Sequence, residues 1–383
     1  MSTAVEAPRL AAWIRRAAEE ARPLLVERLL RLTAVDAPSG DPQGLARAAD
    51  AFAAEVEELG AAARRATVGG IPQLEASFGA EAGDHVLVLC HYDTVWPAGT
   101  AAGRPARCKS DRVFGPGSFD MRGGIVAVLE ALRIVGRERL PAPVWLLMTG
   151  DEETGSSTSH ERIVALASGA RLVLVPEPPL PGGGLKTARK GWSAYGIDVH
   201  GRAAHAGLEP ERGVSAIDEL VDTLRDVSAL ASPARGTTVN VGTVAGGTSV
   251  NVLAERASAQ IEVRASRPDE QRRVDEALRS LRARRAGASV EVVRLHGRPP
   301  MERTPGVAAA AARARELARL LGFELGEGAA GGTSDANLVA PLGVPVLDGL
   351  GPEGGGAHAL DEHVLIDSLV ERTALIALLL ASA

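Results

Sequence analysis

Short apolar runs alternate with amphipathic segments along the first half of this chain, and that alternation restricts it to an α/β architecture. His85-Val86-Leu87-Val88-Leu89-Cys90, Val144-Trp145-Leu146-Leu147-Met148 and Leu172-Val173-Leu174-Val175 each have the length and β-branched content of a strand buried on both faces. Between them, residues 121–135 and 159–167 carry apolar positions at helical spacing. Upstream, residues 9–32 read as helix with Pro23 as a kink or break. Residues 43–59 read as an amphipathic helix with Gly60 as its C-terminal cap. Such a chain is expected to build a mixed, mostly parallel sheet covered by helices.

The pattern changes in the middle. Strand patterns at 193–199, 237–244, 257–264 and 289–295 are interleaved with helical patterns at 214–230 and 269–284. The α/β alternation then resumes near Thr304, so the middle reads as an inserted α+β unit. Gly182-Gly183-Gly184 and the stretch Gly297 to Pro300 are suited to be hinges. A length of 383 residues accommodates two domains at roughly 150 residues each. The expected division is a catalytic domain over 1–186 and 299–383, with an inserted domain over 187–298.

Composition narrows the function. Lys+Arg 42 against Asp+Glu 48 gives a net charge of −6, and aromatics are 3%, so neither a basic face nor a stacking platform for nucleic acid is expected. Lysine occurs only at Lys109, Lys186 and Lys190, which reads as genome composition. Two cysteines, Cys90 and Cys108, cannot build a disulfide framework or a four-cysteine zinc site. The N-terminal segment lacks the apolar core of a signal peptide, and no uncharged apolar run approaches the ~18 residues of a membrane span. The expectation is a soluble cytoplasmic protein with no membrane or nucleic-acid partner.

The informative feature is where the acids and histidines fall. His91 and Asp93 follow the strand ending at Cys90, and Asp151-Glu152-Glu153 follow the strand ending at Met148. Glu177 follows the strand ending at Val175. His358 lies in a glycine-rich loop after Val344-Pro345-Val346-Leu347, where Pro345 weakens the strand reading. Asp120 ends a Gly-Pro-Gly-Ser-Phe stretch just before a helix. Taken singly, each is an ordinary surface or core residue. Together they arrive at the carboxyl edge of one sheet, where α/β folds bind ligands. Converging carboxylates repel unless cations compensate them. Asp120, Glu153 and Glu177 with a bridging hydroxide would carry the charge that two Zn²⁺ ions neutralise. Asp93, two residues beyond His91, is better placed to accept the second ring N–H of that histidine than to bind the same ion.

His91-Tyr92-Asp93-Thr94-Val95, Gly115-Pro116-Gly117 through Asp120-Met121-Arg122-Gly123-Gly124, and Gly150-Asp151-Glu152-Glu153-Thr154-Gly155-Ser156 resemble the co-catalytic zinc metallopeptidases. That family holds glutamate carboxypeptidase, acetylornithine deacetylase, succinyl-diaminopimelate desuccinylase and the aminoacylases. Glu177-Pro178, Ala204-His205-Ala206-Gly207, Gly331-Gly332-Thr333-Ser334-Asp335 and Gly355-Gly356-Ala357-His358 match in family order. The resemblance implies one zinc on His91 and Glu177, a second on Glu153 and His358, and Asp120 between them, with Co²⁺ or Mn²⁺ as substitutes. It implies Glu152 as general base and His205 of a partner subunit as donor to the oxyanion, with Asp93 counted among the catalytic residues as the group that orients His91. Asn251 and Arg264 match the binders of the substrate carboxylate, while Lys190 and Arg298 are weaker candidates for further anion contacts and equally read as surface residues. Arg122, where lysine is common, and Phe119 depart from the pattern without touching a ligand.

The resemblance thus implies a homodimer whose inserted domain serves as dimerisation and lid domain, and whose domains close to complete the site. The expected activity is a glutamate carboxypeptidase-like exopeptidase acting on small peptides or N-acyl amino acids. The alternatives are a deacylase of the acetylornithine deacetylase type and an inactive dimeric binding protein on the same scaffold.

Overall fold

The computed structural model describes residues 3–79 and 84–382; Met1 and Ser2 of the N-terminal reading lie outside it. In chain order the strands are β1 (Arg64–Val68), β2 (Ile71–Phe78), β3 (His85–His91), β4 (Arg107–Lys109), β5 (Arg112–Phe114), β6 (Val144–Thr149), β7 (Ala170–Val175), β8 (Leu185–Arg189), β9 (Gly191–His200), β10 (Thr238–Gly246), β11 (Arg256–Ala265), β12 (Ser289–Arg298), β13 (Glu327–Ala330), β14 (Val346–Asp348), β15 (Gly354–Gly355) and β16 (His363–Leu365). The chain divides into two compact units, Met1–Ala188 with Arg303–Ala330 and Ser334–Ala383, and Arg189–Glu302 with Gly331–Thr333.

The larger unit is built on a mixed eight-stranded sheet in the order β1-β2-β6-β3-β7-β14-β8-β13. β6, β3, β7 and β14 pair in parallel, while β1, β2 and β8 pair antiparallel on the flanks. The parallel strands are the continuous apolar runs of the sequence. Every residue of β3 is buried, so both its faces are covered. Register aligns their carboxyl ends: His91 pairs with Thr149, and Asp348 with Val175. The Asp151, Glu177 and Gly349 segments therefore leave the sheet at one edge, beside His91. β14 begins immediately after Pro345, which has no amide to give a ladder. A second, small sheet (β15-β16-β5-β4) anchors the loops before Asp120 and after His358.

The apolar stretch at residues 9–32 is two helices, Thr3–Glu20 and Arg22–Thr33, with Pro23 in the first turn of the second, where a missing amide costs nothing. The helix at Gly123–Val135 is buried almost throughout. A Cβ on Gly124 would stand 1.9 Å from the carbonyl oxygen of Pro176, so only glycine lets this helix approach the segment carrying Glu177.

The smaller unit is an antiparallel four-stranded sheet, β10-β11-β9-β12. β9 alternates buried and partly exposed residues, with Tyr195, Ile197 and Val199 facing Leu220, Val227, Val274 and Leu278 of helices Ala216–Ser228 and Pro268–Arg279. The second helix stops at Arg279, short of the expected Arg284, because the buried Glu219 carboxylate takes the amides of Arg284 and Arg285 at 2.9 Å each. Among the described residues, no helix is long and apolar enough to cross a membrane.

Candidate metal centre

His91 closes β3, and its buried imidazole is held at both nitrogens. Nδ1 lies 3.1 Å from the main-chain oxygen of Asp93 and 3.4 Å from its Oδ1. Nε2 faces Asp120 Oδ1 at 3.2 Å and Glu177 Oε1 at 3.4 Å. The main-chain oxygen is thus the nearer acceptor for the ring N–H, where a side-chain contact to Asp93 was expected. Asp93 is fully buried and works on the neighbouring segment as well. Its Oδ1 accepts from the amide of Glu152 at 3.2 Å, and its Oδ2 from the amide of Glu153 at 3.2 Å and the hydroxyl of Ser39 at 2.7 Å.

Asp120 sits in extended backbone (φ −114°, ψ 98°) just ahead of the Gly123–Val135 helix, and its peptide bond to Met121 is cis. Its two oxygens diverge, Oδ1 toward His91 and Oδ2 toward His358 Nε2 at 3.4 Å. His358 also faces Glu153 Oε1 at 3.2 Å. The half-exposed His358 takes a left-handed backbone (φ 60°) in the turn closed by the Ala359 amide on Gly356. An L-residue adopts that conformation at a cost of about 1–2 kcal/mol. Glu152, half-buried, starts the short turn Glu152–Thr154 beside Glu153.

Two triads result, His91 with Asp120 and Glu177, and Asp120 with Glu153 and His358, and Asp120 belongs to both. The donor set is imidazole nitrogen and carboxylate oxygen, the chemistry of zinc and its borderline neighbours. Spacing gives an independent test of fit. Ligands about 2.1 Å from a tetrahedral ion stand roughly 3.4 Å apart, and the four histidine–carboxylate separations are 3.2, 3.4, 3.4 and 3.2 Å. The donor types and spacing of these residues fit metal binding.

Burial opposes a charge on His91, but Asp120, Asp93 and Glu177 hold its imidazole well above the ordinary value. Asp120 and Glu153 push His358 up to about 10. Burial raises Glu153 to about 7 against the pull of His358. Burial also opposes ionisation of Asp120, yet the two histidines hold it below the usual carboxylate range.

The remaining predicted residues lie in the smaller unit. His205 is exposed, and its Nδ1 accepts from the amides of Gly207 and Leu208 at 3.1 Å. The exposed Asn251 takes the Ser249 hydroxyl at 2.7 Å and lies next to Val252, the ladder partner of His205. Arg264, on β11, is already engaged: its Nε and Nη2 donate to Glu262 at 2.8 and 3.3 Å, and its Nη1 to the Gly331 oxygen at 3.4 Å. Lys190 is half-buried between β8 and β9, and Arg298 is buried at the end of β12. Sequence reasoning missed Ser39 and Glu362, which support the centre. It also missed Met121, whose sulfur accepts the His91 amide at 3.3 Å. Of these, only Met121 lies inside a quoted motif.

Residues 87–382 match Peptidase family M20/M25/M40. Carboxypeptidase G2 of Pseudomonas sp. (strain RS-16) is 29% identical over 372 residues, covering 93% of this chain and 88% of the relative. A succinyl-diaminopimelate desuccinylase of Caulobacter vibrioides is 28% identical over 351 residues, covering 85% and 87%. Among solved structures, an M20 family metallo-carboxypeptidase from Sulfolobus solfataricus superimposes with a TM-score of 0.73 at 20% identity, covering 93% of this chain and 98% of that one. The family match takes in every acid and histidine of the two triads and most of the chain, so the protein belongs to Peptidase family M20/M25/M40 and is a metallohydrolase acting on amide bonds.

Proposed function

We propose that the enzyme is a dinuclear zinc exopeptidase of the glutamate carboxypeptidase type, acting on small substrates with a free α-carboxylate. The observation that carries this reading is the pair of triads sharing Asp120. In it, His91 and Glu177 would hold one ion and Glu153 and His358 the other, with Asp120 contributing to both. When bound, such a pair acidifies a water and polarises the scissile carbonyl.

The chain's own groups do the rest. Glu152 takes the proton from the attacking water and returns it to the leaving amine. Asp93 fixes the His91 tautomer and, through two amides, the position of the Glu152-Glu153 peptide. His205 donates to the developing oxyanion, and Asn251 and Arg264 hold the substrate carboxylate. Glu262 orients the Arg264 guanidinium through its Nε and Nη2.

Strand register within the smaller unit supports a homodimer. On β11, Arg264 pairs with Trp192 and Arg256 with His200, eight residues along the ladder, or about 26 Å. The ladder then continues away from Arg264 through Gly201–Glu255 to His205–Val252. A dipeptide spans only about 7 Å. That separation supports a scheme in which His205 and Asn251 serve the active site of a second copy. Sedimentation at single-chain mass would remove both from this scheme.

The desuccinylase similarity supports a second reading, removal of an acyl group from an N-acyl amino acid. A panel of C-terminal glutamyl peptides and N-acyl amino acids, assayed with added zinc, separates the two. Turnover of neither class overturns both.

A further inference from the structure

We propose that Glu362 is a positioning residue that locks three ligand-bearing loops into one piece. Glu362 is buried, and lies four residues beyond His358 at the entrance to β16. Its carboxylate reaches out of its own loop in two directions. Oε1 accepts from the amides of Phe119 and Asp120 at 3.0 and 3.1 Å. Oε2 accepts from the amide of Gly117 at 2.8 Å and from Trp96 Nε1 at 2.9 Å. Its main-chain oxygen takes the amide of Gly115 at 3.2 Å.

These donors belong to different loops. Trp96 stands five residues after His91, and the four amides form the approach to Asp120, including that of Asp120 itself. That approach is not regular helix at Asp120, so its amide needs an acceptor from elsewhere. A second tie runs beside the first: the Arg104 guanidinium lies 4.0 Å over the Trp96 ring and donates to the oxygen of Ala359, next to His358, at 3.4 Å. The His91, Asp120 and His358 loops therefore share one buried acceptor. Asp120 has to present one oxygen to each histidine, so its backbone position sets both triads at once. A carboxylate gripping that backbone holds the spacing while touching neither ion. Outer residues of this kind are worth roughly 10–100-fold in metal affinity.

This assignment rests on the two-ion reading. The test titrates metal-stripped, full-length wild type, Glu362→Gln and Trp96→Phe with zinc against a chromophoric chelator. The melting temperature of each metal-free protein is recorded alongside. Gln keeps the shape but has one acceptor oxygen for four donors, and a loss of zinc affinity of roughly 10–100-fold is expected. Trp96→Phe keeps the ring under Arg104 and removes one donor, and a smaller loss of roughly 2–10-fold is expected. A merely structural carboxylate would lower the melting temperature and leave zinc affinity alone. That result in folded Glu362→Gln overturns the proposal, as does wild-type affinity in Trp96→Phe should Glu362→Gln fail to fold. A wild-type chain that binds no zinc overturns the two-ion reading and this assignment together. Zinc bound equally by all three proteins overturns this assignment alone.

Discussion

Replacing Asp93 by asparagine tests how the centre is held. Both oxygens of this buried carboxylate are occupied: Oδ1 by the Glu152 amide and the His91 ring, Oδ2 by the Glu153 amide and the Ser39 hydroxyl. Asparagine must turn its NH₂ toward one of these pairs. At the Oδ2 end it can donate to Ser39, whose hydroxyl rotates, but it then confronts the Glu153 amide with a second donor. At the Oδ1 end it confronts the Glu152 amide. Either way one amide of the Glu152-Glu153 pair loses a charged acceptor, which costs about 1.5–3 kcal/mol, or roughly 10–150-fold. The loss falls on the peptide that carries both the proposed base and a proposed ligand. Zinc affinity by chelator competition and kcat/KM at fixed zinc should therefore both drop by that factor, while circular dichroism shows a folded protein. Values within twofold of wild type in folded Asp93→Asn would refute the reasoning.

Three further outcomes are expected. Glu152→Gln should lower kcat by roughly 10²–10⁴-fold and leave bound zinc unchanged by metal analysis; unaltered kcat would remove Glu152 as base. Arg264→Ala should lower kcat/KM by a factor equivalent to about 1.5–3 kcal/mol, and an unchanged value would move carboxylate binding elsewhere. His91 and His358 hold protons above their ordinary range in the metal-free chain, His358 up to about 10, so zinc has to displace protons that become harder to remove as pH falls. Zinc affinity should rise from roughly pH 6 to 9, by up to tenfold per unit for each proton displaced, and a flat profile would contradict this.

The buried centre of the fold was legible because parallel strands covered on both faces read as unbroken apolar runs, as in β3, β6 and β7. The flanks were not. Every residue of β1 is exposed, and β2 carries Pro72, Gln73 and Glu75 in buried positions, with Glu75 matched by Arg162 at 2.6 Å, so neither shows an apolar or alternating pattern. At the site, His91, Glu153 and Glu177 stood out because each closely follows an apolar run, and the sheet brings those ends together, while Asp120 and His358 stood out by their glycine-rich motifs. Glu362 did not stand out. It lies in the polar stretch Asp361-Glu362-His363, and three of its four side-chain partners are backbone amides, which every residue but proline owns. The separation of Arg264 from His205 was also hidden, because it depends on strand register rather than on residue type.

Whether two cations sit in the shared triads is decided by metal stoichiometry. Full-length protein is stripped with a chelator, reloaded with excess zinc, freed of unbound metal and analysed for zinc per chain alongside its hydrolytic rate. The rate is expected to vanish on stripping and to return as the ratio approaches about two. An active protein with a ratio near zero would contradict this expectation.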